Sequence, residues 1–178
     1  LAFLMPSLAY TANAVTLTLR RNAVAFPDVA ITRNQRSVAG ATEALGAGAS
    51  VYDAILRLDA ADARAAFDSL SGEIHASVRT AIADDQRYQR EAINNHLLNA
   101  DAARDGEGVS AWASAWGHWG NHDGDGNAAR MSANGGGLLV GADTVVGSTT
   151  RVGFALGTGQ ISASTPARDA SADVRTRT

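Results

Sequence analysis

At 178 residues the chain can build one compact domain or two small modules. A formal net charge of −3 offers no basic field to attract nucleic acid, and the lack of cysteine excludes disulfides and cysteine-based zinc or redox centres. All 15 basic residues are arginine, which together with abundant alanine fits a GC-rich bacterial genome. The opening LAFLMPSLAY lacks a basic n-region and carries Pro6 in a short apolar run, so it has the pattern of neither a signal peptide nor a transmembrane helix. The start at Leu1 and the end ADVRTRT lead to the expectation of an internal piece of a longer protein.

Residues 1–27 favour strands. Two runs, LAFLMPSLAY and AVTLTLRR, flank a turn at Thr11, Ala12 and Asn13. Val15, Leu17 and Leu19 alternate with threonines in a half-buried strand pattern. Pro6 assigns its strand to an edge or an end. The character changes at Ile31. Thr32 and Gln35 form a capping box for a helix closing near Gly46. Ser50 with Asp53 starts a short helix to Leu58, and Asp59 with Asp62 starts a third, ended by Ser71 and Gly72. In the third helix Ala63, Ala66, Phe67 and Leu70 share one face, so the three helices are expected to pack as a small cluster.

From Glu73 to about Ala103 no glycine or proline interrupts the chain. A helix of about 30 residues would run roughly 45 Å. Its first half has an apolar stripe (Ile74, Val78, Ile82); its second half is polar almost all round, which suits an exposed or wet setting. After a break at 105–108 the period changes to two. In VSAWASAWGHWG one face carries Val109, three alanines, Gly117 and Trp119, and the other carries Trp112, Trp116 and His118. Leu138 and Val140 then alternate with Leu139, Gly141 and Asp143. After a turn at Gly147 and Ser148, Val152, Phe154 and Leu156 alternate with Arg151 and glycines. Strands of about 10 residues with a tight turn at one end and longer loops (121–135 and 163–173) at the other match a transmembrane β-barrel meander. An ordinary antiparallel sheet with one solvated face is the plainer alternative, but repeated glycine suits a curved inner wall better.

AWASAWGHWGNHDGDGNAARMSANGGGLLVGADTVVG resembles the first strands of the autotransporter β-domain, of the type V secretion family. AFDSLSGEIHASVRTAIADDQRYQREA resembles the segment joining passenger to barrel, and YTANAVTLTLRRN and TRNQRSVAGATEAL resemble a passenger's C-terminal end. The resemblance implies an exported passenger, a helical linker inside the barrel and an outer-membrane β-barrel. It also implies barrel-assembly machinery and periplasmic chaperones as partners. Here only three strands and the start of a fourth are expected, and an open sheet is not tolerated in lipid.

Asp123, Asp125 and Asn127 fit the first ligand positions of a calcium loop, but the required glycine falls on Ala128 and the closing acid on Asn134. Turn chemistry is the better reading of DGDGN. His118 and His122 are spaced for a metal on a helix, not on a strand, and no clustered acid completes a zinc set. His75 and His96 read as polar helix residues, and Ser71 as a cap without a nucleophile elbow. Trp112, Trp116 and Trp119 read as interfacial anchors in an aromatic girdle. Asn94 and Asn95 precede the first strand, and some autotransporters resembling this chain cut themselves at such a pair; the plain alternative is two neutral helix residues in a wet pore.

The expected fold class is mixed: short β-strands, an α-helical junction with one long helix, then antiparallel strands of a truncated transmembrane β-barrel. The expected divisions are the passenger end (1–28), helical junction (29–72), linker helix (73–107) and first barrel strands (108–178). Leu138, Val140, Val152, Phe154 and Leu156 are expected to face lipid, Asp143 and Arg151 the lumen, and residues 87–104 to lie inside the barrel. No cofactor or metal is implied, and the partner is outer-membrane lipid. The role is export of the chain's own passenger, from outer membrane to cell surface. The alternatives are a surface adhesin or β-solenoid stem, or an ordinary outer-membrane pore.

Overall fold

The computed structural model describes residues 1–102, 108–147 and 150–178. The expected break at 105–108 (but for Gly108) and Ser148 of the expected turn lie outside them. The chain divides into two compact units: residues 1–73 with 124–129, and residues 74–123 with 130–178.

The first unit opens with an antiparallel hairpin of β1 (Leu4–Tyr10) and β2 (Val15–Arg21). Its turn is closed by the Thr11 amide donating to the Ala14 carbonyl at 2.9 Å. A short 3₁₀ turn, Phe26–Val29, leads to α1 (Arg33–Leu45), α2 (Ser50–Ile55) and α3 (Ala60–Leu70). Thr32 caps α1 as expected, its hydroxyl accepting from the Gln35 amide while the Gln35 side chain reaches back to the Thr32 amide. Asp59 caps α3 through the amides of Ala61 and Asp62. These bonds favour the ionised carboxylate and hold it below its ordinary value. The start of α2 differs from expectation. Ala49 is the cap residue, without a side-chain bond, and Asp53 accepts instead from the Gly48 amide at 3.2 Å. The helix also stops at Ile55 rather than Leu58.

Phe3, Phe26, Ala39, Tyr52, Ile55, Ala63 and Phe67 form one core, so the hairpin's leading residue, the 3₁₀ turn and all three helices bury against each other. The Phe26 ring lies 4.7 Å from Phe3 edge-on and 4.9 Å from Tyr52. Leu70, expected on the buried face of α3, is half exposed, because the core ends one turn earlier at Phe67. Arg21 ties β2 to this core. Its guanidinium sits over the Phe3 and Phe26 rings, donates from Nη2 to both Glu43 oxygens at 3.0 and 3.1 Å and from Nε to the Tyr52 hydroxyl. Burial opposes the charge, yet the bonds to Tyr52 and Glu43 outweigh it and raise the guanidinium above its ordinary value.

The second unit is built on α4 (Glu73–Ala102) and an antiparallel meander of β3 (Val109–His122), β4 (Met131–Val146), β5 (Thr150–Thr165) and β6 (Ala170–Arg177). The strands of β3–β5 are longer than expected, at 14 to 16 residues, and a full fourth strand follows a four-residue connection. The ladder bonds simply continue through Asn121, Ser132 and Ser164, so the loops shrink to 123–130 and 166–169. The sheet is open, with β3 and β6 at its edges. Successive antiparallel strands are joined as neighbours, unlike the stacked coils of a solenoid. No described helix is long and apolar enough to cross a membrane.

Candidate functional site

The candidate site is the face of the sheet that α4 covers. Near the start of α4, Ile74, Val78 and Ala81 bury an apolar cluster against Met131, Ala133, Ile161 and Ala163. Beyond it the helix presents polar side chains, and the strands answer in kind. Asp85 is fully buried and accepts three bonds: from Trp116 Nε1 at 2.9 Å, His118 Nε2 at 3.1 Å and Gln89 Nε2 at 2.9 Å. Three donors replace the water that a carboxylate loses on burial. Tyr88 stacks on the His118 ring at 4.6 Å. Two turns further along, His96 stacks on Trp112 at 4.4 Å and donates to Asp143 Oδ2 at 2.5 Å. Asp143 also accepts from Arg151 Nη1.

Register explains why these side chains fit. Trp116 pairs with Gly137, and Trp112 with Gly141. A Cβ at Gly137 would overlap the Trp116 ring and the Thr158 carbonyl; one at Gly141 would lie 2.6 Å from the Trp112 ring. The tryptophans therefore lie flat across glycine-lined strands beneath the helix. This corrects the girdle reading of two of them: Trp112 and Trp116 occupy the helix-covered face, since even positions of β3 share the side of Asp143. Trp119, on the other parity, is 85% exposed.

The sequence-selected residues fall on both sides of the sheet. Asp143 and Arg151 come together under α4, with side chains 3% and 16% exposed. Leu138, Val140, Val152, Phe154 and Leu156 line the opposite face, from 46% exposed at Val140 to 67% at Phe154. Asn94 and Asn95 are exposed on α4, Asn95 bordering a shallow depression with His96 and Trp112. His122 lies 3.4 Å from Asp84. Among the described residues no group of three metal-ligating side chains forms. Asp125 accepts from the amides of Asn127 and Ala128 at 2.9 and 2.7 Å, which is the turn chemistry expected of DGDGN. Asn127 in turn exchanges two hydrogen bonds with Asn34 at the start of α1. Sequence reasoning passed over Asp85, Gln89 and Tyr88. An acid and an amide at i, i+4 on the same stripe as Val78 and Ala81 were the available signal.

Residues 111–178 match the family model described as the autotransporter β-domain. Two curated relatives are each described as an extracellular serine protease of Serratia marcescens. One is 31% identical over 155 residues, covering 80% of this chain and 15% of the relative. The other is 25% identical over 202 residues, covering 87% and 19%. The chain thus spans less than a fifth of the length of these relatives. No solved structure matches it. Through residues 111–178, the chain belongs to the autotransporter β-domain family.

Proposed function

We propose that the chain is part of the translocation unit of an autotransporter, which anchors in the outer membrane and exports its own passenger. In this reading β3–β6 are consecutive strands of the barrel wall. Leu138, Val140, Val152, Phe154 and Leu156 face lipid, Asp143 and Arg151 face the lumen, and α4 crosses the lumen as linker. Residues 1–28 end the passenger, 29–72 form the junction, 73–107 the linker and 108–178 the strands. Outer-membrane lipid, barrel-assembly machinery and periplasmic chaperones are the corresponding partners.

The observation that carries this reading is the chemical inversion of the sheet. Its free face carries the exposed Leu138, Val140, Val152, Phe154 and Leu156, while Asp143 of the opposite face and Asp85 and Gln89 of α4 are buried where helix and sheet meet. An apolar outside over a polar inside is the arrangement of a barrel wall in lipid. The polar helix has no place in lipid itself. From Arg87 to Ala102 it is long enough, roughly 24 Å at 1.5 Å per residue, to cross the apolar band.

The test uses the full-length protein in a planar bilayer. Deleting residues 87–102 should raise the conductance well above that of the intact protein. Unchanged conductance with a folded barrel would reject the helix as a lumen element.

The same reading assigns passenger release to the bond between Asn94 and Asn95. The Asn94 side-chain nitrogen would attack its own carbonyl carbon, closing a succinimide. The bond to Asn95 would break, and the departing nitrogen would take a proton. Mass analysis of the membrane-embedded fragment decides this: a fragment beginning at Asn95 supports it, and any other start rejects it.

A further inference from the structure

The free face of the sheet changes chemistry part-way along the strands. On β5 it runs Val152, Phe154, Leu156 and then Thr158, Gln160, Ser162, Ser164. Opposite this polar half stands β6, with Arg177 across from Thr158, Arg175 across from Gln160 and Asp173 across from Ser162. Directly opposed residues share a face. Arg175 and Arg177 therefore project on the same side as Phe154 and Leu156, and both are exposed. Their neighbour Val174 turns the other way, into the apolar cluster beneath α4.

From Val152 to Leu156 the apolar run on β5 covers roughly 13 Å at about 3.3 Å per residue. The arginine pair stands at the upper margin of that run. This is the end of the sheet with the longer connection, 123–130, and longer connections mark the outer side of such barrels. Trp119 lies at the same end and on the same face, in one cross-strand row with Asn134, Ser162 and Asp173. A shallow depression runs along this row. Asp173, the acid on this face of β6, is engaged by the Ser162 hydroxyl at 2.6 Å.

A guanidinium held against acyl chains is costly unless it reaches the headgroups and meets an anion there. Its planar fork matches phosphate bidentately, and an exposed tryptophan suits the headgroup level. Trp119 and Arg175 are separated by three strand spacings and two residues along the strand, roughly 16 Å, which is too wide for a lone phosphate and fits an extended phosphorylated sugar headgroup.

We infer that Arg175 and Arg177, with Thr158 and Gln160 beside them, form a docking site for the phosphorylated saccharide headgroup of an outer-leaflet glycolipid. The arginines bind the phosphate, and Trp119 borders the sugar. This rests on the barrel reading above, so the test separates the two.

Full-length protein in detergent micelles is titrated with diphosphoryl lipid A, with its dephosphorylated form and with inorganic phosphate, following the thermal midpoint. Diphosphoryl lipid A should raise the midpoint, and the other two should not. The variant R175Q/R177Q should bind diphosphoryl lipid A about 30-fold more weakly, on the basis of about one basic-residue contribution each. An unchanged variant, or equal binding of the dephosphorylated lipid or of free phosphate, overturns the site. In parallel, a fluorophore on Phe154→Cys is placed in vesicles with brominated acyl chains, with and without R175Q/R177Q. Absence of quenching defeats the barrel reading itself. Quenching in both backgrounds shows that the variant is folded in lipid, so that unchanged lipid A binding then defeats only the headgroup site.

Discussion

Both units bury an apolar cluster, but the second also encloses carboxylates. In the first, Phe3, Phe26 and Phe67 are wholly buried, and a single arginine, Arg21, enters only with Glu43 and two aromatic rings to receive it. In the second, Phe154 and Leu156 lie open on one face while Asp85 and Asp143 are enclosed on the other. Apolar burial dominates the first, where aromatic rings close on one another. In the second, an apolar cluster gives way along α4 to hydrogen-bonded burial, each enclosed carboxylate having donors supplied by a facing element. The contrast teaches that hydrophobic pattern identifies a face, and only the solvent on that face says whether it is inside or outside.

The comparison is most sharply tested by truncations of opposite chemistry. Phe67→Ala should cost the first unit about 3–5 kcal/mol as a core truncation. Asp85→Ala should cost the second unit a comparable amount, about 1–3 kcal/mol for each of the Trp116, His118 and Gln89 donors left enclosed without an acceptor. Thermal or denaturant unfolding of the full-length protein, with a probe in each unit, measures both. A near-neutral Asp85→Ala would mean that its enclosure does not organise the second unit.

Next in size is the free face. Phe154→Arg should cost about 2–4 kcal/mol if the position lies near the bilayer midplane. The readout is folding free energy into vesicles. A tolerated arginine there would place this face in water and return the sheet to the plain solvated reading.

The smallest effect concerns pH and the connection between β3 and β4. Amide bonds from Ala128 and Asn127 hold the Asp125 carboxylate below its ordinary value of 3.8. The folded value lies below the unfolded one, so the turn keeps its full contribution above 3.8 and loses it as pH falls through the depressed value. Exchange protection of the Asn127 and Ala128 amides should therefore persist through the ordinary carboxylate range and fade only below it. Asp125→Asn should remove that pH step. Protection lost already at or above 3.8 would contradict the turn's electrostatics.

Much of this architecture was written locally in the chain. Thr32 and Gln35 announced a helix start, the glycine-free run after Glu73 announced a long helix, and strict alternation from Val109 onward sorted the strand residues into two faces. Such signals are legible because a cap, a turn or a strand period depends on residues a few positions apart. The same locality assigned DGDGN to a turn, its Asp125 bonding two and three residues ahead.

What the tertiary structure alone decided was which polar residues would meet. Asp85 and Trp116 are 31 positions apart, and His96 and Asp143 are 47 apart. Whether these groups meet depends on the register between α4 and β3 and between β3 and β4, and no short-range pattern encodes that register. The tryptophans show the consequence. Composition alone suggested membrane anchors, but pairing Trp116 with Gly137 and Trp112 with Gly141 turned both beneath the helix, because only a partner lacking Cβ leaves room for an indole laid flat across the strand.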